Sequence, residues 1–475
     1  MRVALVNVQY HEGNNVFPPL GILYVAAAMR EAGHEVLVLD ADPQQRRDLV
    51  DVVVAHRPAL VGLSFLTMTY DRAVTLAGAL AARLPGVFLV AGGAHVTADP
   101  LGSIEALPLD AVVVGEGERT LVALAHALAS GGALESIPGV VTRAGRGPEV
   151  VPEQDLDTLS FPARDLLGHG TYLRPPGLIR GWAASGIASM LGSRGCPFKC
   201  SYCASHQQLG RRVRMRSPGN IVAELEQLRR DDGIRGVYWV DDVFTHDRAW
   251  TLEVCDAIRP LGLSWGCQSR ADAVDGPLLR AMRAAGCVQV DVGVESGSPR
   301  ILKQMHKGVT PEQVVEAFDL IHGAGLRTGA SFIVGYPGET EDDIEATAAL
   351  AARIRSDWTV FFFATPYPGT ELWRRNVAEH GGDWPGWGER WNNRVGPLPL
   401  LASEVTAERV AWWRSRLQNR HFRSNYLRAR NLPFIARLAR TLPEPSVRQA
   451  VGRLVTRGGR ADDVVEAAFA AWRAA

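Results

Sequence analysis

Two long stretches of this chain repeat one pattern: a short run of β-branched and apolar residues, a loop, then an amphipathic helical stretch. The runs fall at residues 3–8, 35–39, 59–65, 87–91 and 110–114, and again at 188–193, 236–240, 263–269, 288–294, 328–334 and 359–363. Near-continuous apolar strands that alternate with helices belong in parallel sheets covered on both faces. The chain is therefore expected to be α/β, with two such units. A helical pattern over 20–32 stops at Gly33, a residue suited to the left-handed position after a helix.

The strongest chemical signal is Arg194-Gly195-Cys196-Pro197-Phe198-Lys199-Cys200-Ser201-Tyr202-Cys203. It gathers three of the six cysteines as C-x₃-C-x₂-C, at the entry to the second unit. Three thiolates hold three irons of a [4Fe–4S] cube and leave the fourth iron open to a small molecule. A structural zinc site is the competing reading, with His206 as fourth ligand of a Cys₃His centre and the chain as a zinc-stabilised, non-catalytic binding protein. Scattered cysteines and no secretory signal argue against a disulfide framework. Cys255, Cys267 and Cys287 lack ligand spacing and read as core.

Net formal charge is zero, which gives no electrostatic case for nucleic acid as a partner. No apolar stretch is long enough to span a bilayer and no signal segment opens the sequence, so a cytoplasmic location is expected. At 475 residues, 47% of them hydrophobic, the chain has room for two or three domains.

In parallel α/β sheets ligands bind at the carboxyl ends of the strands. In the first unit those ends carry Ser64 and Thr67, then Gly92, Gly93 and His95, then Gly115, Glu116 and Gly117. Glycines there let a large flat ligand approach the backbone. No G-x-G-x-x-G dinucleotide fingerprint follows the first strand, and a flavodoxin-like domain would use the same turn residues. In the second unit the ends carry Asp241 and Asp242, Arg270, Glu295 with Ser296, and Gly335.

The cysteine stretch, with Tyr202 directly before the third cysteine, resembles the signature of radical S-adenosylmethionine (SAM) enzymes. Pro18-Pro19-Leu20-Gly21, Gly92-Gly93-Ala94-His95, Gly115-Glu116-Gly117-Glu118 and the joining residues 156–165 resemble cobalamin-dependent members of that family. The resemblance implies a doubly wound, Rossmann-like cobalamin-binding domain over 1–145 and a linker over 146–184. A partial (β/α)₆ radical SAM barrel over 185–390 and a mostly helical region over 391–475 would follow. It implies Cys196, Cys200 and Cys203 on the cluster. Tyr202 would lie against adenine, and Asp241 and Asp242 near the amino group of SAM. Arg270 would sit on its carboxylate, Glu295 and Ser296 at the ribose, and Gly335 beside the adenine. Ser64, Thr67, Gly92, Gly93, His95, Gly115, Glu116 and Gly117 would surround cobalamin. The D-x-H-x-x-G motif that donates histidine to cobalt is missing, although His11 follows the first strand, so cobalt is expected to lack a histidine ligand.

The implied reaction cleaves SAM to a 5′-deoxyadenosyl radical and, with methylcobalamin, methylates an unactivated carbon of a small molecule in specialised-metabolite biosynthesis. A low-potential donor such as a flavodoxin or ferredoxin would supply electrons. A cyclase, rearrangement enzyme or dehydratase, with an unoccupied cobalamin domain, is the alternative on the same fold. Six of the twelve tryptophans lie between Trp373 and Trp413, either a packed seam or a pocket wall. Residues 412–442 are arginine-rich and helical in pattern, a solvated face or a docking surface.

Overall fold

The computed structural model describes residues 1–8, 18–41, 49–168, 172–173, 186–380, 388, 404–421 and 424. His11, Trp384, Trp387, Trp391 and residues 425–442 lie outside them. Two six-stranded sheets dominate.

The first contains β1 (Arg2–Val8), β2 (Glu35–Asp40), β3 (Leu60–Phe65), β4 (Phe88–Gly92), β5 (Ala111–Val113) and β6 (Val140–Thr142), in the order 2-1-3-4-5-6. β1 to β5 run parallel and β6 closes the edge antiparallel. Successive side chains of a strand point to opposite faces. Accordingly, Val3 and Leu5 join one core with Leu23 and Leu124, while Ala4 and Val6 join the other with Val53 and Ala77. Both faces are thus sealed by helices, the doubly wound arrangement that the apolar runs predict. Gly33 adopts φ +81° after the helix Leu20–Glu31. Strand order reverses between β1 and β3, and the crevice above such a switch point is where these sheets bind ligands.

The second sheet begins at β7 (Ile187–Met190). A short antiparallel ribbon follows, β8 (Ser193–Arg194) with β9 (Arg214–Met215), and it brackets the cysteine stretch. Then come β10 (Gly236–Trp239), β11 (Ser264–Ser269), β12 (Cys287–Glu295), β13 (Arg327–Val334) and β14 (Trp358–Phe363). The order 7-10-11-12-13-14 is sequential and all parallel, and β7 and β14 remain opposite edges, so the barrel is partial. Cys255, Cys267 and Cys287 are fully buried in its core.

An exposed edge strand presents unpaired backbone groups. The helix Ala407–His421 covers the edge at β14 with side chains that imitate a neighbouring strand. Phe361 N–H donates to Gln418 Oε1 at 3.2 Å, Gln418 Nε2 donates to the Thr359 carbonyl at 3.0 Å, and Arg414 Nε donates to the Phe361 carbonyl at 3.0 Å. Trp413 packs into the barrel core, whereas Trp412 stays exposed under Arg409 and Arg416. The first part of the arginine-rich stretch is therefore a seam. Among the described residues no helix is long and apolar enough to cross a membrane.

Candidate active site

Backbone contacts from distant elements shape the cysteine loop. Gly195 adopts φ +100°, and a Cβ there would overlap the Arg212 carbonyl. Cys196 N–H donates to the Gly210 carbonyl at 3.2 Å, Cys203 N–H to the Cys200 carbonyl at 3.1 Å, and Ser201 N–H to the Met305 carbonyl at 3.0 Å. Gly195→Ala combines an unfavourable φ, about 1–3 kcal/mol, with that overlap. The variant is expected to retain several-fold less iron after anaerobic reconstitution, and wild-type iron content would show that the loop tolerates it.

All three thiols line one cavity of about 470 Å³ in the mouth of the barrel. Burial, with the Asp242 carboxyl nearby, pushes the Cys196 thiol up to about 11, and burial also raises Cys203. A metal centre would displace those protons as it assembles. Three sulfur donors on one short loop fit a cluster. His206, the fourth ligand of a zinc alternative, is bonded to the Cys203 backbone carbonyl and does not line the cavity.

Four of the seven residues expected around SAM face this cavity: Tyr202, Asp242, Arg270 and Glu295. Asp242 accepts from Ser205 Oγ at 2.9 Å, while its buried Oδ2 has no hydrogen-bond partner among the described residues. Burial raises its carboxyl pKa. An unpaired buried carboxylate oxygen fits a cationic ligand. Glu295 adopts φ +72°, unusual for a residue with a side chain, and accepts from Lys307 Nζ at 2.9 Å. The Tyr202 phenol also bonds Glu295; burial, then the Glu295 charge, pushes its pKa well up.

The other three stand behind the wall. Asp241 is fully buried and accepts from Gly192 N–H at 3.0 Å and Ser193 Oγ at 2.5 Å, tying the end of β10 to the segment that leads from β7 into the cysteine loop. Burial lifts its carboxyl to about 6. Ser296 pairs with Thr347 Oγ1 at 3.2 Å, and Gly335 N–H donates to Glu339 Oε2 at 2.6 Å. Sequence reasoning passed over Phe198 and Lys307, and also Tyr238 and Asp291, whose hydroxyl and carboxylate meet at 2.5 Å on the cavity floor. Lys307 carried a signal, being one of only three lysines.

The second cavity, about 150 Å³, opens at the carboxyl ends of β3, β4 and β5, at the switch point. Ser64, Gly92, Gly93, Gly115, Glu116 and Gly117 line it. Gly21 also lines it, and a Cβ built there meets nothing within 4 Å, so the glycine leaves a cradle that a side chain would fill. That small-residue cradle fits a flat ligand such as cobalamin. Thr67 and His95 are buried beneath it, bonded to one another at 3.0 Å. Burial lowers His95 to about 4, so it is neutral at physiological pH.

Ion pairs join the first domain to the strands that flank the cysteine loop. Arg214 grips Glu116 with both Nη groups, at 2.5 and 3.0 Å, and Arg194 reaches Glu118 at 2.7 Å and Glu116 at 3.4 Å. Arg194 immediately precedes Gly195-Cys196, so the acidic loop of the first domain holds the base of the cysteine loop.

Residues 190–351 match the radical SAM superfamily and residues 10–125 the B12 binding domain. An uncharacterized methyltransferase of Pyrococcus horikoshii is 35% identical over 374 residues, 76% of this chain and 79% of that protein. The anaerobic magnesium-protoporphyrin IX monomethyl ester cyclase of Rubrivivax gelatinosus is 29% identical over 394 residues, 79% of this chain and 70% of that one. The solved structure of the radical SAM methyltransferase TsrM from Kitasatospora setae, with cobalamin and a [4Fe–4S] cluster bound, superposes with a TM-score of 0.67 at 22% identity. That match covers 84% of this chain and 76% of the other. The chain belongs to the cobalamin-dependent radical SAM enzymes. Its cofactors are accordingly a [4Fe–4S] cluster, SAM and cobalamin.

Proposed function

We propose that this enzyme methylates an unactivated carbon of a small molecule in the biosynthesis of a specialised metabolite. The observation that carries this reading is a shared wall: Leu191, Arg194, Gln208 and Leu209, from the segment that bears the cluster cysteines, line the first-domain cavity. A radical source and a methyl carrier held in these two cavities would face one chamber.

When bound, the cluster supplies the electron that splits SAM, and cobalamin supplies the methyl group. The protein binds, orients and excludes water. Cys196, Cys200 and Cys203 hold the cluster. Asp242 would accept from the SAM ammonium. Glu295, braced by Lys307 and Tyr202, would hold the ribose hydroxyls, and Tyr202 would take the adenine. Gly92, Gly93, Gly115 and Gly117 admit cobalamin. The floor at Tyr238 and Asp291, with aromatic walls from Trp358 and Phe362, holds the small molecule away from water. Each turnover consumes a substrate C–H bond, two SAM and two electrons. It yields methylated product, methionine, 5′-deoxyadenosine and S-adenosylhomocysteine, and a low-potential flavodoxin or ferredoxin serves as donor.

The likeness to the cyclase favours a second reading, radical cyclisation without methyl transfer. Anaerobic turnover separates the two. The first requires S-adenosylhomocysteine alongside 5′-deoxyadenosine and a product heavier by one methyl; deoxyadenosine alone, with no such mass gain, sinks it.

A further inference from the structure

Arg270 follows β11 and is only 4% exposed. Its guanidinium stacks over the Phe198 ring, 3.6 Å from the centroid, and Phe198 belongs to the cysteine loop. Nε and Nη2 form a fork on Asp272, each at 2.9 Å, and Nη2 also donates to the Lys307 carbonyl at 2.7 Å. The fork suited to a SAM carboxylate is therefore engaged within the chain. Nη1, which takes no part in the fork, donates toward Cys200 Sγ at 4.0 Å, and both residues line the cavity.

A buried cation held against a sulfur by three separate restraints is more than a packing element. A cluster becomes more negative when reduced, and donors to its sulfurs together with nearby charge set its potential. Charge counts most where solvent is excluded. The arrangement also contains its own counterweight: Asp272, with a side chain 29% exposed, neutralises part of the guanidinium charge from its outer side.

We infer that Arg270 and Asp272 form a positioning pair that sets the reduction potential of the cluster, the arginine favouring the reduced form through the Cys200 sulfur and the aspartate opposing it. This rests on the three cysteines holding the cluster.

An EPR-monitored redox titration of the anaerobically reconstituted full chain, without SAM, tests it. In Arg270→Gln the ratio of reduced to oxidised cluster at a fixed solution potential is expected to fall about tenfold, 59 mV for a one-electron couple. In Asp272→Asn, where Asn still accepts from the guanidinium, the same ratio is expected to rise several-fold. The opposite signs are what a merely structural pair would not produce. Shifts in the same direction, or none beyond twofold in either variant, overturn the inference. Should Arg270→Gln fail to retain iron, Asp272→Asn decides alone: a rise supports the pairing and an unchanged or lower ratio overturns it. Wild-type protein that binds no iron would overturn the cluster reading itself, a result separate from a bound cluster with an unmoved potential.

Discussion

Cys200→Ala will abolish reductive cleavage of SAM while leaving both sheets folded. Cys200 is half-buried, lines the cavity and belongs to none of the hydrophobic cores, so truncation removes the proposed ligand without opening a core void. The backbone bond from Cys203 N–H to the Cys200 carbonyl survives the change. A cube with two protein thiolates has lost a covalent anchor, a larger defect than the 10–100-fold losses that follow removal of groups behind a ligand. A fall of more than about 100-fold in 5′-deoxyadenosine formation is therefore expected. Iron per chain should fall with it, and far-UV circular dichroism should be unchanged. Deoxyadenosine produced at the wild-type rate would refute the ligand assignment.

The parts of this enzyme legible in the sequence are those whose cause lies close along the chain. β1 to β5, β7 and β10 to β14 announce themselves by apolar runs bounded by turn residues, because a strand buried on both faces needs nothing else. The cysteine loop is equally local, three donors within eight residues. The two-residue strands β8 and β9 are too short for periodicity to register, and β6, three residues like β5, has only Val140 and Val141 as its apolar run. Asp241 and Asp242 show the limit at the site. Adjacent side chains at a strand end point opposite ways, so one faces the cavity and the other braces Gly192 and Ser193 at the entry to the cysteine loop, and nothing in the pair itself says which. Asp272 lies only two residues from Arg270, yet the sequence reading sets the Arg270 fork on the SAM carboxylate; the Phe198 stack depends on the loop folding back over β11 and leaves no local trace.

Least legible of all is the junction of the two domains, where Glu116 meets Arg214 across 98 positions of sequence. It is also where a large stability loss is expected. The side chains of Glu116, Glu118, Arg194 and Arg214 are all at most 8% exposed. Breaking a buried pair from one side leaves an uncompensated charge and costs about 3–5 kcal/mol. Glu116→Ala strands Arg214 and takes one of two carboxylates from Arg194, so it should lower stability by that amount in urea unfolding. The exposed pair Arg83–Asp51, with side chains 54% and 66% exposed, is the internal control: Asp51→Ala should cost under about 1 kcal/mol. Two domains need not unfold together, so the two sheets should be followed by separate probes. Because Arg194 leads directly into Gly195-Cys196, Glu116→Ala should also loosen the cysteine loop and lower iron retention, which Asp51→Ala should not. The double variant Glu116→Ala/Arg214→Ala removes both charges together. Coupled neighbours are not additive, so it should be less destabilised than the sum of its singles by at least about 1 kcal/mol. A Glu116→Ala loss no greater than that of Asp51→Ala, or strict additivity in the cycle, would mean that the buried pairs do not hold the cobalamin domain against the cluster loop.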